Sequence, residues 1–277
     1  MGSSKIGRQH GAWQAWLERA GPIRLGVSTC LLGEKVRHDG GHKRDDFLVD
    51  ELGRWVEWVS VCPEVELGMG VPRPSVQLVE VEGDEPGALR MLSPGTGEDW
   101  TGRMNAYSQQ RVAELRALEL DGYVLKQDSP SCGLARVKVH GFAGPKRRDG
   151  IGLYARALLA AWPHLPLEEE GRLADPALRE NFVERVFCRN RWRALVKQRK
   201  TRARLAEFWN AHELLVRAHD EEGAQRLGKL VDSAIKGNIK GNIKGNTDGL
   251  YERFEAEFFR ALISLPPRSD STHTRTS

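Results

Sequence analysis

The order of apolar runs along the chain limits the possible folds more than any other feature. Short apolar runs at Ile23–Ser28, Val56–Val61 and Gly122–Lys126 are bounded by Gly, Pro or Asp, which is typical of buried β-strands. Apolar residues recur at helical spacing in Asn105–Leu118 and Ile151–Trp162. Strands that alternate with helices predict a Rossmann-like α/β domain with a mostly parallel sheet.

The sequence pattern changes at Asp175. The pair Asp175-Pro176 favours a helix start, and the charged, Gly-poor sequence that follows keeps helical periodicity to about Arg226. We therefore expect a second, all-α domain. The predicted organisation is an N-terminal extension at 1–21, an α/β domain at 22–165, a linker within Pro163–Asp175, a helical domain at 175–263 and a disordered tail at 264–277.

Composition excludes two classes of protein. No stretch approaches the roughly 20 uncharged apolar residues of a membrane helix, and the first residues are polar, so we expect a cytoplasmic protein without a membrane partner. The chain has 4 cysteines, too few for a disulfide scaffold. Spaced cysteines in a reducing compartment indicate metal binding or catalysis instead.

Three of the cysteines follow predicted strands directly. Cys30, Cys62 and Cys132 each come just after such a run, and the carboxyl ends of parallel strands meet at one rim of a sheet. Cys188 lies among arginines, and we expect it to be an inert core residue. Three converging thiolates without a nearby fourth ligand predict either a zinc ion with an open position or an iron-sulfur cluster with one iron not held by cysteine.

Four separated groups of motifs resemble, in order, the signatures of the thiouracil desulfidase family, formerly domain of unknown function 523. They are Val27–Gly33 with Val36–Gly40, Val61–Val65 with Gly68 and Pro72–Pro74, Leu125–Lys126 with Ser129–Gly133, and Gly150–Gly152. The helical part, with Leu205–His212, Ala218–Asp220 and Leu227–Gly228, resembles domain of unknown function 1722. This fusion is similar to the bacterial desulfidases that remove sulfur from 4-thiouridine in tRNA. The resemblance implies that Cys30, Cys62 and Cys132 hold a 4Fe-4S cluster whose fourth iron is open to the substrate's sulfur.

Replacing a ring thiocarbonyl by a carbonyl requires an activated water. Glu64 lies two residues after Cys62 and is the predicted general base, with Glu66 as the second candidate. Ser129 and Ser131 flank Pro130 beside Cys132, and we expect them to orient the water or to hydrogen-bond the cluster. The alternative for these serines is a turn that satisfies its own backbone.

Three further residues are candidates for substrate binding. Arg37 and Asp39, a few residues beyond Cys30, are placed to hold a pyrimidine edge or a phosphate, and Arg73 lies between two prolines that stiffen its backbone. For each of these, a structural salt bridge is the alternative.

The basic residues concentrate in one segment. Arg185–Arg204 carries nine basic residues and no acidic one, interleaved with Phe187 and Trp192. This density is typical of a polyanion-binding surface. We therefore predict that the segment binds the tRNA backbone and that Phe187 or Trp192 stacks on a base. The predicted contacts are Arg189, Arg193, Lys197 and Lys200, together with Lys236, Lys240 and Lys244 in the triple Ile-Lys-Gly-Asn repeat of Ile235–Asn246, which we expect to be an exposed loop.

The leading functional hypothesis is an iron-sulfur desulfidase that converts 4-thiouridine to uridine and releases sulfide. Intact tRNA, a thiolated nucleotide and a free thiobase are all compatible substrates. A second hypothesis is a zinc-dependent hydrolase or deaminase of a modified nucleoside, although the deaminase signature of His-x-Glu with Pro-Cys-x-x-Cys is absent. A third is a noncatalytic RNA-binding protein whose cysteines are structural or redox-sensing.

Overall fold

A four-stranded parallel sheet carries the carboxyl-terminal rim predicted above. The computed structural model describes residues 20–81, 83, 85, 87–141, 147–236 and 247–265, and the chain divides into two compact units between Arg193 and Ala194. In the first unit, the strand order is β2-β1-β5-β8, and every neighbouring pair is parallel. The strands are β1 (Ile23–Ser28), β2 (Val56–Val61), β5 (Gly122–Leu125) and β8 (Leu167–Glu169). The three predicted strands are confirmed.

A second, mixed sheet in the same unit was not predicted. Its order is β4-β3-β6-β7, with β3 and β6 parallel and the two outer pairs antiparallel. These strands have three or four residues each, too few to show a reliable alternation in the sequence. They are β3 (Gln77–Val79), β4 (Arg90–Leu92), β6 (Val137–His140) and β7 (Arg147–Gly150).

Helices cover both faces of the parallel sheet. They are α1 (Pro63–Glu66), α2 (Thr101–Ala117), α3 (Leu153–Ala161) and α4 (Pro176–Val196). Successive side chains of a strand point to opposite faces. Accordingly, Tyr123 and Leu125 belong to the core that contains α2, α3 and the second sheet, whereas Val124 packs in another core with Phe182 and Val186 of α4.

The segment interpreted as a linker is part of the domain. Leu167–Glu169 forms β8 and pairs with β5, so the linker prediction is wrong for these residues. Glu168 and Glu169 are buried, because the other parts of the unit supply partners for their carboxylates. Helix α4 begins directly afterwards and contributes to the core of the first unit up to Arg193.

The second unit consists of helices. They are α5 (Arg202–His219), α6 (Glu221–Ile235) and α7 (Thr247–Ala261). The side chains of Thr201 and Asp220 cap the first two by accepting a backbone N–H, as expected at helix N-termini. Phe208, Phe254 and Phe258 pack edge to face or stacked in its core. An α/β domain followed by a helical region confirms the predicted fold class.

Some predictions fall outside the described residues. They concern residues 1–19, residues 237–246 of the Ile-Lys-Gly-Asn repeat with Lys240 and Lys244, and residues 266–277. In the part of the chain that is described, no helix combines the length and apolar character needed to cross a membrane.

The basic segment is largely engaged within the fold. Arg193 is buried, and its guanidinium donates to both carboxylate oxygens of Asp121 at 2.9 and 3.0 Å. Within the second unit, Lys200 lies 2.6 Å from Asp248. Trp192 is 1% exposed. The predictions that Arg193 contacts RNA and that Trp192 stacks on a base are therefore wrong, because both side chains are interior.

The predicted Gly150–Gly152 motif joins helix α3 to the loop that contains Cys132. The backbone N–H groups of Leu153 and Tyr154 donate to the carbonyls of Pro130 and Ser131, both at 3.0 Å. A Cβ at Gly152 would lie 2.4 Å from the Ser131 carbonyl oxygen. The helix start and the cysteine loop therefore fit together only because residue 152 has no side chain.

We expect Gly152→Ala to destabilise the protein by about 1–3 kcal/mol or more, since the added methyl group overlaps a backbone that is fixed by hydrogen bonds. Gly102→Ala is the matched control, because a Cβ there meets nothing within 4 Å inside α2. That change should be neutral or stabilise by about 0.4–1 kcal/mol. Denaturant unfolding of the two variants measures the difference, and equal midpoints would contradict the proposed fit.

Candidate functional site

One cavity brings together the three cysteines that follow predicted strands. It has a volume of about 470 Å³ and is lined by Cys30, Cys62 and Cys132. Cys30 lies in the turn after β1, Cys62 lies between β2 and α1, and Cys132 lies in the loop after β5. The convergence follows from the parallel pairing of β2, β1 and β5, because their carboxyl ends share one rim. Cys188 is fully buried elsewhere and is not among the lining residues.

The free thiols are held in their protonated form by burial. Burial raises the pKa of Cys30 to about 11 and that of Cys188 to about 12, and it raises the pKa values of Cys62 and Cys132 as well. Positive charge on Lys126 lowers the pKa of Cys30 but does not offset burial. A metal that binds these residues as thiolates must therefore displace their protons.

Glu64 and Arg73 form a buried ion pair beside the cysteines. Arg73 donates from Nε at 2.9 Å and from Nη2 at 2.6 Å to Glu64 Oε2, and its side chain is 4% exposed. Its Nη1 donates to the carbonyls of Val36 and Gly70, at 3.0 and 2.9 Å. The hydroxyl of Ser131 donates to the other Glu64 oxygen at 2.8 Å. Arg73 thus positions Glu64, and its donors are engaged inside the protein rather than presented to a substrate phosphate.

Glu66, the second candidate base, has a different position. Its Oε1 accepts the backbone N–H of Cys62 at 3.1 Å, and its Oε2 accepts the hydroxyl of Tyr107 at 2.6 Å and lies 3.0 Å from Arg111 Nε. It is not among the cavity-lining residues, whereas Glu64 is. Glu66 therefore anchors the Cys62 loop to helix α2, and Glu64 is the carboxylate that faces the cavity.

The two predicted serines hold different partners. Ser129 Oγ accepts the backbone N–H groups of Cys132 at 3.0 Å and Ser131 at 3.3 Å, which is the turn that satisfies its own backbone. Ser131 is fully buried, and its hydroxyl contacts Glu64. The structure therefore supports the turn alternative for Ser129 and gives Ser131 the role of orienting Glu64.

Of Arg37 and Asp39, only Arg37 lines the cavity. Arg37 lines the cavity, together with His38 and Lys43, whereas Asp39 is not among the lining residues. Asp39 accepts the N–H of Gly41 at 2.9 Å, which lowers the pKa of its carboxyl group, and it lies 3.6 Å from Arg37 Nε. The prediction that Asp39 binds substrate is therefore not supported, because its carboxylate stabilises a turn.

Three polar residues at the site were given no functional role in the sequence analysis. Ser28 Oγ accepts the N–H of Lys126 at 3.0 Å, which joins the ends of β1 and β5, and both residues line the cavity. Lys126 Nζ forms an ion pair with Glu170. The rule that identified the cysteines, position at a strand end, also identifies Ser28 and Lys126. No such signal marks Glu170, because it follows a strand that was interpreted as a linker.

The donor set, three cysteines that line one cavity, is of the kind that holds an iron-sulfur cluster. Among the residues that the structure describes, no three His, Cys, Asp or Glu side chains are arranged to hold one metal ion. A zinc site requires its ligands to converge on one point. A 4Fe-4S cluster takes each thiolate on a different iron, so its ligands surround a cavity, as the three cysteines do here.

Comparison with known proteins identifies the family. The profile of the 2-thiouracil desulfurase family matches residues 25–170, and the chain belongs to this family. It is 29% identical over 149 residues to the uncharacterized protein YbbK of Bacillus subtilis (strain 168), an alignment that covers 52% of this chain and 95% of YbbK. A solved structure of TudS, described as a 4Fe-4S-dependent thiouracil desulfidase, is 29% identical and covers 57% of this chain and 97% of that chain, with a TM-score of 0.45. The family match ends at residue 170, so the resemblance of the helical part to domain of unknown function 1722 stays a prediction.

Serine replacement of any one of Cys30, Cys62 and Cys132 should abolish or strongly reduce the iron and acid-labile sulfide of protein purified without oxygen. Each replacement removes one of three ligands that line the same cavity. Cys188→Ala should retain the wild-type content, because Cys188 is a core residue outside the cavity. Unchanged iron in any of the three serine variants, or its loss with Cys188→Ala, would contradict this ligand set.

Proposed function

We propose that the protein is an iron-sulfur-dependent desulfidase that replaces the sulfur of a thiolated pyrimidine by oxygen and releases sulfide. The observation that carries the proposal is the set of three cysteines around one cavity that Glu64 also lines, in a chain of the 2-thiouracil desulfurase family. We further propose 4-thiouridine, carried by tRNA, as the substrate, and we retain the cytoplasmic location as a prediction.

Cys30, Cys62 and Cys132 would hold the cluster. When bound, it supplies an open iron with high affinity for sulfur. The side chains around the cluster would activate the attacking water. Glu64 Oε2 accepts two hydrogen bonds from Arg73, while Oε1 accepts one from Ser131 and keeps a second lone pair. That lone pair accepts a proton from a water that attacks the ring carbon, while Arg73 and Ser131 hold the carboxylate in place.

The proposal is tested on protein purified without oxygen. We expect a brown protein with broad visible absorbance, stoichiometric iron and acid-labile sulfide, and release of sulfide from a 4-thiouridine substrate. A colourless protein that contains one zinc ion, or a loaded protein that leaves every thiolated pyrimidine unchanged, would contradict it.

Glu64→Gln should lower turnover by roughly 10² or more, the usual scale for a positioned general base, while the cluster remains bound. The amide keeps the size of the carboxylate and one of its two acceptor oxygens, but it cannot accept a proton. Glu66→Gln is the matched control on the same helix, and its loss should be much smaller because Glu66 does not line the cavity. Turnover of the loaded enzyme measures both variants, and similar losses would remove Glu64 from the base role.

We also propose that the second unit binds the tRNA backbone through exposed basic residues at its start. Of the predicted contacts, Arg193 is buried, Lys200 is paired with Asp248 and Arg189 is half-buried. Lys197 is exposed, and so is Arg202, another of the nine basic residues of the segment. Phosphate contacts require accessible cations. The proposed tRNA-binding surface therefore includes only some of the nine basic residues of the segment.

Replacing Lys197 and Arg202 by Gln together should weaken tRNA binding and flatten its salt dependence. The log-log slope should decrease by about 0.7 for each single-strand-like phosphate contact that is lost. The matched control is Lys229→Gln with Arg253→Gln, which removes two other exposed charges of the same unit. If the two double variants bind tRNA alike, or if turnover of a free thionucleotide falls with the first, the docking surface is not at Lys197 and Arg202.

A further inference from the structure

A largely buried ammonium group lies in the wall of the cysteine cavity. Lys126, directly after β5, lines the cavity, and its side chain is 13% exposed. Its Nζ pairs with the Glu170 carboxylate and donates to the Gln127 carbonyl at 3.1 Å. The second Glu170 oxygen accepts the Gln127 N–H at 2.8 Å. Lys126 and Glu170 are therefore both fixed by the backbone of the same loop.

Lys126 differs from the other cations around the cavity. Arg73 is committed to Glu64, which faces the same cavity, so that this pair adds no net charge there. Arg37 is closer to solvent and lies 3.6 Å from Asp39, and Lys43 is exposed. Solvent screens the more accessible charges of Arg37 and Lys43, whereas a charge withdrawn from water, such as that of Lys126, acts more strongly on its neighbours.

We propose that Lys126 is the counter-charge of the thiolate site and that Glu170 limits how much of this charge the site receives. The inference rests on the proposed function, because it concerns the cluster that Cys30, Cys62 and Cys132 would hold. Conversion of three neutral thiols to thiolates adds negative charge to the cavity wall, and Lys126 is the least exposed of the lysines that line it. An ammonium beside them stabilises the more negative of any two states of the site.

The reduction potential of the loaded protein reports this charge directly. Reduction by one electron from dithionite makes the site more negative, and a nearby positive charge therefore favours the reduced state. Removing the ammonium should make reduction harder, and removing the opposing carboxylate should make it easier. The two residues of one ion pair thus have effects of opposite sign.

The test is an EPR-monitored redox titration of the anaerobically loaded protein. Lys126→Met should shift the midpoint potential to a more negative value than wild type, and Glu170→Gln should shift it to a more positive value. Lys126→Arg keeps the charge and should restore most of the wild-type potential. Lys138→Met is the matched control, because Lys138 is exposed on β6 and does not line the cavity.

The sign of the shifts separates an electrostatic role from a structural one. If the Lys126–Glu170 pair only supports the loop, Lys126→Met and Glu170→Gln would change the amount of bound iron together and leave the potential of the loaded fraction unchanged, and the inference would be overturned. Shifts in the same direction would overturn it as well. Failure of wild-type protein to bind any iron-sulfur cluster would instead refute the proposed function.

Discussion

The ion pair between Arg73 and Glu64 is the contact on which the rest of the site depends. It connects the segments of all three cysteines, since Arg73 holds the Val36 carbonyl beyond Cys30, Glu64 follows Cys62, and Ser131 precedes Cys132. Both side chains are largely withdrawn from water, where an unpaired charge is strongly unfavourable. Truncation of either side chain would therefore affect the neighbouring loops and the position of the carboxylate at once. Catalytic geometry and local stability are properties of the same pair.

The sequence was sufficient to predict that the three cysteines meet at one rim, because this depends only on the parallel direction of the strands that precede them. Parallel strands have a common direction, so residues that follow Ser28 and Val61 arrive at one rim without any knowledge of distances. The same reasoning failed for Leu167–Glu169, which is short, acidic and without alternation. Only its pairing with β5 makes this segment a strand, and that pairing joins residues more than forty positions apart. The second sheet was missed because its strands have only three or four residues each.

The pairing of the basic residues also depends on contacts between residues that are far apart in the sequence. The segment Arg185–Arg204 is rich in basic residues, but acids from distant parts of the chain pair with some of them. Asp121 neutralises Arg193 within the first unit, and Asp248 neutralises Lys200 within the second. The nearest acids in the sequence are therefore a poor guide to which cations remain on the surface. Arg73 shows the same effect at the candidate site, where a residue expected to bind phosphate is paired internally.

The acidic residues at the end of β8 determine when some of the contacts around the cavity can form during synthesis. Glu169 accepts the N–H of Leu134, just beyond the Cys132 loop, and Glu170 pairs with Lys126. During synthesis Cys30, Cys62 and Cys132 leave the ribosome before these glutamates, so a nascent chain contains the three cavity cysteines while Leu134 and Lys126 still lack these partners. These two contacts form only when residue 170 has emerged, the residue at which the family match also ends. The loops around the cavity therefore gain these supporting contacts only late in the synthesis of the first unit.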